Sequence, residues 1–194
     1  MVSVSHPMNV AADDLIIDDF SDTRGISNLA TRWRLVSDQV MGGVSDGRMT
    51  DERVDGRGAL CLRGRVSLEN NGGFLQLSLD LSRDGLLDAR AYDGIRLTVR
   101  GNGERYNLHL KTADTTRPWQ SYRSSFTTSS QWQDILLPFG TFEPYRIDVP
   151  FDPSRLRRIG IVAIGRDFMA DLCVADARFS NARIPNVRDR SRYE

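Results

Sequence analysis

The feature that most restricts this chain is a repeated alternation of apolar and polar residues in short runs. Leu75, Leu77 and Leu79 alternate with Gln76 and Ser78, and Ile95, Leu97 and Val99 alternate with Arg96, Thr98 and Arg100. A period of two places the apolar set on one face of a strand and the polar set on the other. Similar strand-like runs occupy Leu15 to Ile17, Trp33 to Val36, Ala59 to Leu68, Tyr106 to Lys111, Tyr122 to Thr128, Trp132 to Leu137, Ile159 to Ile164 and Leu172 to Phe179. Turn clusters separate them, among them Asp46-Gly47, Asn70-Asn71-Gly72-Gly73 and Gly101-Asn102-Gly103. Roughly ten short strands with almost no helical period predict an all-β chain, an antiparallel β-sandwich or barrel. Single helical turns are expected within Ser21 to Thr31 and within Leu81 to Tyr92.

The chain has 194 residues, 40% of them hydrophobic, which suits one core. One domain is expected over residues 13–181, between a loose tail at 1–12 and an Arg-rich tail at 182–194 that carries Arg183, Arg188, Arg190 and Arg192. Basic and acidic residues balance at 26 each, so no global field draws the chain to nucleic acid or a membrane surface. Lys111 is the single lysine, read as a matter of composition. No apolar run reaches about 18 residues, so no membrane insertion is expected. The first residues lack the basic start and apolar centre of a secretory signal, and they carry acids and no Arg, unlike a transit peptide. A cytoplasmic location is the expectation. Cys61 and Cys173 lie in strand-like runs and read as two small buried apolar residues kept reduced. His6 and His109 lie away from both, which argues against a His/Cys zinc site. No metal and no cofactor are expected.

No nucleophile elbow, phosphate-binding Gly-Lys-Ser/Thr loop or dinucleotide fingerprint occurs, so no catalytic residues are assigned and the chain reads as no enzyme. Asp18, Asp19, Asp22 and Asp176 offer the oxygens a calcium ion takes, although solvated turn acids are the favoured reading. Trp119 and Tyr122 offer flat faces for stacking sugar rings, while Trp132 reads as core. Phe139 to Arg158 is the one long irregular connection, rich in proline, and reads more as a cover for the sandwich than as a functional loop.

Two stretches carry more polar and glycine character than tight turns need. Trp33 opens a strand that runs into Ser37-Asp38-Gln39-Val40-Met41-Gly42-Gly43-Val44-Ser45; the second stretch is Leu68-Glu69-Asn70-Asn71-Gly72-Gly73-Phe74. Trp33 is expected to anchor the strand in the core. Gly42 and Gly43 are expected to take backbone conformations closed to other residues, or to lie against another segment. The loops are expected to share one end of the sandwich and to bind either a protein partner or the chain's own loop from Phe139 to Arg158; Asp38, Met41, Gly42, Gly43, Ser45, Glu69, Asn70 and Asn71 are the candidate partner-binding residues. The alternative is that Asp38 and Asn70 satisfy buried backbone groups.

These stretches resemble the complex I intermediate-associated protein 30 family. So do Tyr92-Asp93-Gly94-Ile95, Arg100-Gly101-Asn102-Gly103 and Trp132 with Leu137-Pro138-Phe139, in the expected order over about residues 14–180. The resemblance implies a galactose-binding-like jelly roll, in agreement with the strand pattern. It also implies a non-catalytic protein-binding module, an assembly factor or chaperone for respiratory complex I (NADH:ubiquinone oxidoreductase), as in mitochondrial members. Similar domains occur in bacterial and chloroplast proteins. The partner is then expected to be a subunit or assembly intermediate of that complex. The alternative function is a carbohydrate-binding module of the galactose-binding-like jelly-roll type, stacking through Trp119 and Tyr122.

Overall fold

The computed structural model describes residues 13–181; both tails, with His6, lie outside the described residues. Twelve strands follow in order: β1 (Leu15–Asp18), β2 (Arg34–Ser37), β3 (Asp46–Val54), β4 (Arg57–Val66), β5 (Phe74–Asp80), β6 (Gly94–Gly101), β7 (Arg105–Thr112), β8 (Ser121–Thr127), β9 (Gln133–Pro138), β10 (Glu143–Tyr145), β11 (Leu156–Ile164) and β12 (Phe168–Ser180). They form two antiparallel sheets. The first has the order β3-β4-β12-β6-β9, with β1 also paired to β12; the second has the order β10-β8-β7-β11-β5-β2. The fold is the expected all-β sandwich of jelly-roll type.

Alternation in the sequence becomes the two faces of each sheet. Leu60, Leu62, Leu97, Val99, Leu172 and Val174 point inward from the first sheet. They meet Leu75, Leu77, Leu79, Leu108, Leu110, Ile159 and Ile161 from the second, and all are buried. Trp33 precedes β2 and is 8% exposed. Its indole Nε1–H donates to Asp18 Oδ2 at 2.9 Å and its ring lies 6.2 Å from Phe20. It anchors that corner of the core as expected. Burial lifts the Asp18 carboxyl to about 6, against the pull of the Phe20 N–H and the Trp33 indole.

Several expectations need correction. Asp46-Gly47 makes no turn: both residues open β3, where a Cβ on Gly47 would meet Leu75 Cδ1 at 2.7 Å. The tight turn is Asp55-Gly56, whose φ values of 50° and 78° suit a type I′ hairpin between β3 and β4. Ser21 to Thr31 and Leu81 to Tyr92 hold turns and bends but no helical turn. The segment after β9 is less irregular than its prolines suggest, with 3-10 turns at Phe139–Thr141 and Pro153–Arg155 flanking β10 and the loop that follows it. Phe139, Phe142 and Phe151 pack on one another, and Phe139 reaches Phe179, so this segment closes over the core.

The cysteines are not reduced. Cys173 of β12 lies directly opposite Cys61 of β4, with Cα atoms 4.1 Å apart, and the two form a disulfide. Each strand reads as strand in the sequence; their mutual register, set across 112 residues, does not. The bridge lies on the outer face of the first sheet in a small cluster with Ala59, Ala175 and Trp132. Trp132 is therefore not part of the main core. It covers the bridge, with the Arg57 and Arg100 guanidinium groups each 5.9 Å from its ring centre.

Candidate functional site

The site is built around the end of β2. After Ser37 the chain turns once in a 3-10 turn, Asp38–Met41, and Gly42 ends it in the left-handed region at φ 88°. Gly42 N–H donates to Gln39 O and Gly43 N–H to Asp38 O, which folds the loop back on Asp38. The Asp38 side chain is fully buried. Its Oδ1 accepts from Ser45 N–H at 3.0 Å. Its Oδ2 accepts from Gly73 N–H at 2.5 Å and Phe74 N–H at 3.2 Å, and also from the Ser45 hydroxyl. Burial alone would raise this carboxyl, but the donors from Ser45, Gly73 and Phe74 outweigh it and hold Asp38 below the usual carboxylate range.

One carboxylate thus fastens both loops. Ser45 extends the connection, since its Oγ accepts from Ser67 N–H at 3.0 Å. The glycines are explained by the same group. A Cβ on Gly43 would stand 2.4 Å from Asp38 Cγ, and one on Gly72 would stand 2.5 Å from Asp38 Oδ2. Only a backbone without side chains leaves room for the carboxylate. Asn70 and Asn71 carry φ values of 55° and 57°, a region asparagine tolerates better than most residues.

The structure therefore brings the two loops together and sorts their residues. Asp38, Gly43 and Ser45 are buried and form the fastening. Met41, Gly42, Glu69, Asn70 and Asn71 are exposed. Three further exposed apolar residues stand beside them in the chain: Val40 at 74%, Val44 at 42% and Leu68 at 45%, with Met41 at 63%. Of these four, sequence reasoning singles out Met41 alone. The signal that finds the others is an apolar residue inside a polar, glycine-rich loop.

The aromatic pair does not survive as a stacking platform. Trp119 is half exposed, but Tyr122 is fully buried, its ring edge-on to Phe151 and its hydroxyl donating to Val149 O at 2.8 Å. The β8 alternation points Tyr122 inward opposite Leu110. The acids considered for calcium have local partners. Asp19 accepts from Ser21, Asp22 pairs with Arg24, and Asp176 pairs with Arg178.

Comparison with known proteins places this geometry. The family model described as complex I intermediate-associated protein 30 matches residues 19–174. No curated protein matches the sequence. Among solved structures, the family 11 carbohydrate-binding module of cellulase Lic26A-Cel5E of Clostridium thermocellum is similar at 13% identity and a TM-score of 0.68, over 89% of this chain and 96% of that one. The same organism's family 11 module in complex with a β-1,3-1,4-mixed-linked tetrasaccharide gives 15% identity and 0.65, over 87% and 96%. A family 30 carbohydrate-binding module from its cellulase Cel9D-Cel44B gives 15% and 0.59, over 77% and 91%. At such identities the likeness is one of fold.

Proposed function

Because this chain belongs to the complex I intermediate-associated protein 30 family, we propose that it is a non-catalytic protein-binding module that assists assembly of respiratory NADH:ubiquinone oxidoreductase. The observation that carries this reading is the fastening at Asp38. A buried carboxylate holds two loops rigid, and those loops expose Val40, Met41, Val44 and Leu68 to water. Burying apolar surface on a partner gains about 25 cal/mol per Å². Loops fixed beforehand lose little entropy on binding, so more of that gain is kept. Glu69, Asn70 and Asn71 supply the polar rim such a contact uses. The partner is a subunit or assembly intermediate of that complex. The alternative, a carbohydrate-binding module stacking through Trp119 and Tyr122, loses Tyr122 to the core.

The test is capture from the source cells with the tagged full chain and with a Val40→Glu, Met41→Glu variant. The variant is expected to melt within about 2 °C of the parent, since both side chains are exposed. The parent should recover subunits of NADH:ubiquinone oxidoreductase and the variant should not. Equal recovery by both, or none of these subunits with the parent, overturns the reading.

A further inference from the structure

The outer face of the second sheet carries four cations, two of which pair with Asp80 while two have no carboxylate partner among the described residues. The strand registers lay out one row across the sheet: Glu143, Arg123, His109, Gly160, Ser78 and Arg34. The next row holds Lys111, Arg158 and Asp80. Small residues occupy the middle of the first row, at Gly160 and Ser78, and the Gln76 side chain lies over Gly160, where a Cβ would meet its Nε2 at 2.7 Å.

Arg34 and Arg158 share Asp80 as a partner, at 2.8 and 2.6 Å. Lys111 and Arg123 differ. Among the described residues neither has a carboxylate within 4.0 Å. Lys111 Nζ donates to Pro118 O at 2.6 Å. Arg123 Nε donates to Ser121 Oγ at 2.9 Å, and its guanidinium lies 3.4 Å from the Tyr145 ring centre. His109 sits on the same face between them, 7% exposed, and its Nε2 has no hydrogen-bond partner. Burial, followed by Arg158, Arg157 and Arg123, pushes Lys111 down to about 8; burial also lowers Arg123. Partly desolvated like charges held side by side raise the free energy of the empty face, and an anion placed among them relieves it. The carbonyl that holds Lys111 belongs to the residue before Trp119, which is half exposed. The Trp119 backbone is thereby held next to Lys111.

We propose that this face binds an acidic saccharide, its carboxylate seated among His109, Lys111 and Arg123 and a sugar ring resting on Trp119. The Arg123 guanidinium donates to a carboxylate through its planar fork, and Lys111 adds a point charge beside it. The His109 imidazole completes the seat by donating from Nε2, which an anion favours over the free acceptor. Asn107 and Ser125, on the same face of β7 and β8, supply partners for ring hydroxyls. A polyglutamate peptide shares the carboxylate but offers Trp119 no ring. The site is independent of the motif loops and of the adaptor reading.

The test is calorimetric titration of the full chain with trigalacturonate, with cellotriose and a triglutamate peptide as controls. Trigalacturonate is expected to bind, roughly tenfold or more tighter than either control. Lys111→Gln and Arg123→Gln should each weaken it about tenfold, and Trp119→Ala severalfold. Met41→Glu should leave it unchanged. In the parent protein, imidazole nitrogen NMR should show His109 Nε2 gaining a proton as ligand is added, a readout that needs no variant to fold. No binding of trigalacturonate, equal binding of triglutamate or cellotriose, or a silent His109 overturns the proposal.

Discussion

At the scale of single residues, the molecule depends on a few buried polar groups with unequal surroundings. Asp38 accepts four hydrogen bonds, three from backbone N–H groups and one from Ser45 Oγ. Asp38→Ala strands those donors in the interior. It should cost about 3 kcal/mol, a fall of roughly 10 °C in Tm by thermal melt. Trp33→Ala removes a buried ring and the indole donor to Asp18, and should cost about 3–5 kcal/mol by chemical denaturation. His109 behaves in the opposite way, because it has nothing to accept its charge. Burial, with Arg123 and Lys111 facing it, holds the imidazole neutral down to about 3. Its folded pKa lies below its unfolded value of about 6.5. The stability it contributes is therefore complete above pH 6.5 and is lost as pH falls from there toward 3, by up to about 1.4 kcal/mol per unit. Denaturant midpoints measured from pH 7 to pH 5 should fall in the parent, and His109→Gln should flatten that part of the fall.

At the scale of elements, the loop after β2 and the loop before β5 act as one unit. Gly42 and Gly43 are adjacent yet need glycine for different reasons. Gly42 has φ 88° with open space around it, whereas Gly43 abuts the Asp38 carboxylate. Gly42→Ala should cost about 1 kcal/mol from backbone strain alone. Gly43→Ala should cost more, and much of that penalty should vanish once Asp38 is already alanine. A double-mutant cycle with denaturant melts measures the coupling, expected at about 1 kcal/mol or more. The sequence made the elements easy to read, because Leu75-Leu77-Leu79 and Ile95-Leu97-Val99 alternate cleanly and few residues compete with that pattern. It also marked both loops through their glycines. It did not say that Asp38 faces inward, because an Asp between Ser and Gln looks the same whether it meets water or four donors. The burial of Tyr122 is hidden for a related reason: which face of β8 points inward depends on its pairing with β7, not on its own composition. The exposure of Val40 and Leu68 is not legible either, because apolar residues beside strands normally join the core.

At the scale of the whole molecule, the two sheets are tied by the core, while Cys61–Cys173 ties β4 to β12 within one sheet across 112 residues. Closing a loop of that length restricts the unfolded chain by roughly 4–5 kcal/mol in the entropic account. Reduction, or Cys61→Ala with Cys173→Ala, should lower the denaturation midpoint accordingly, read by melts with and without reductant. β12 sits between β4 and β6 and also pairs with β1, so the strand at the centre of the first sheet is the last of the described strands to be made. Every strand of the second sheet, by contrast, has been made by Ile164. A nascent chain halted before Phe168 therefore holds one sheet with all its strands and another missing its middle, with Cys61 still a free thiol and β4 and β6 each showing an open edge. The order of synthesis thus leaves the first sheet waiting, with two unpaired edges, for the thirteen residues of β12.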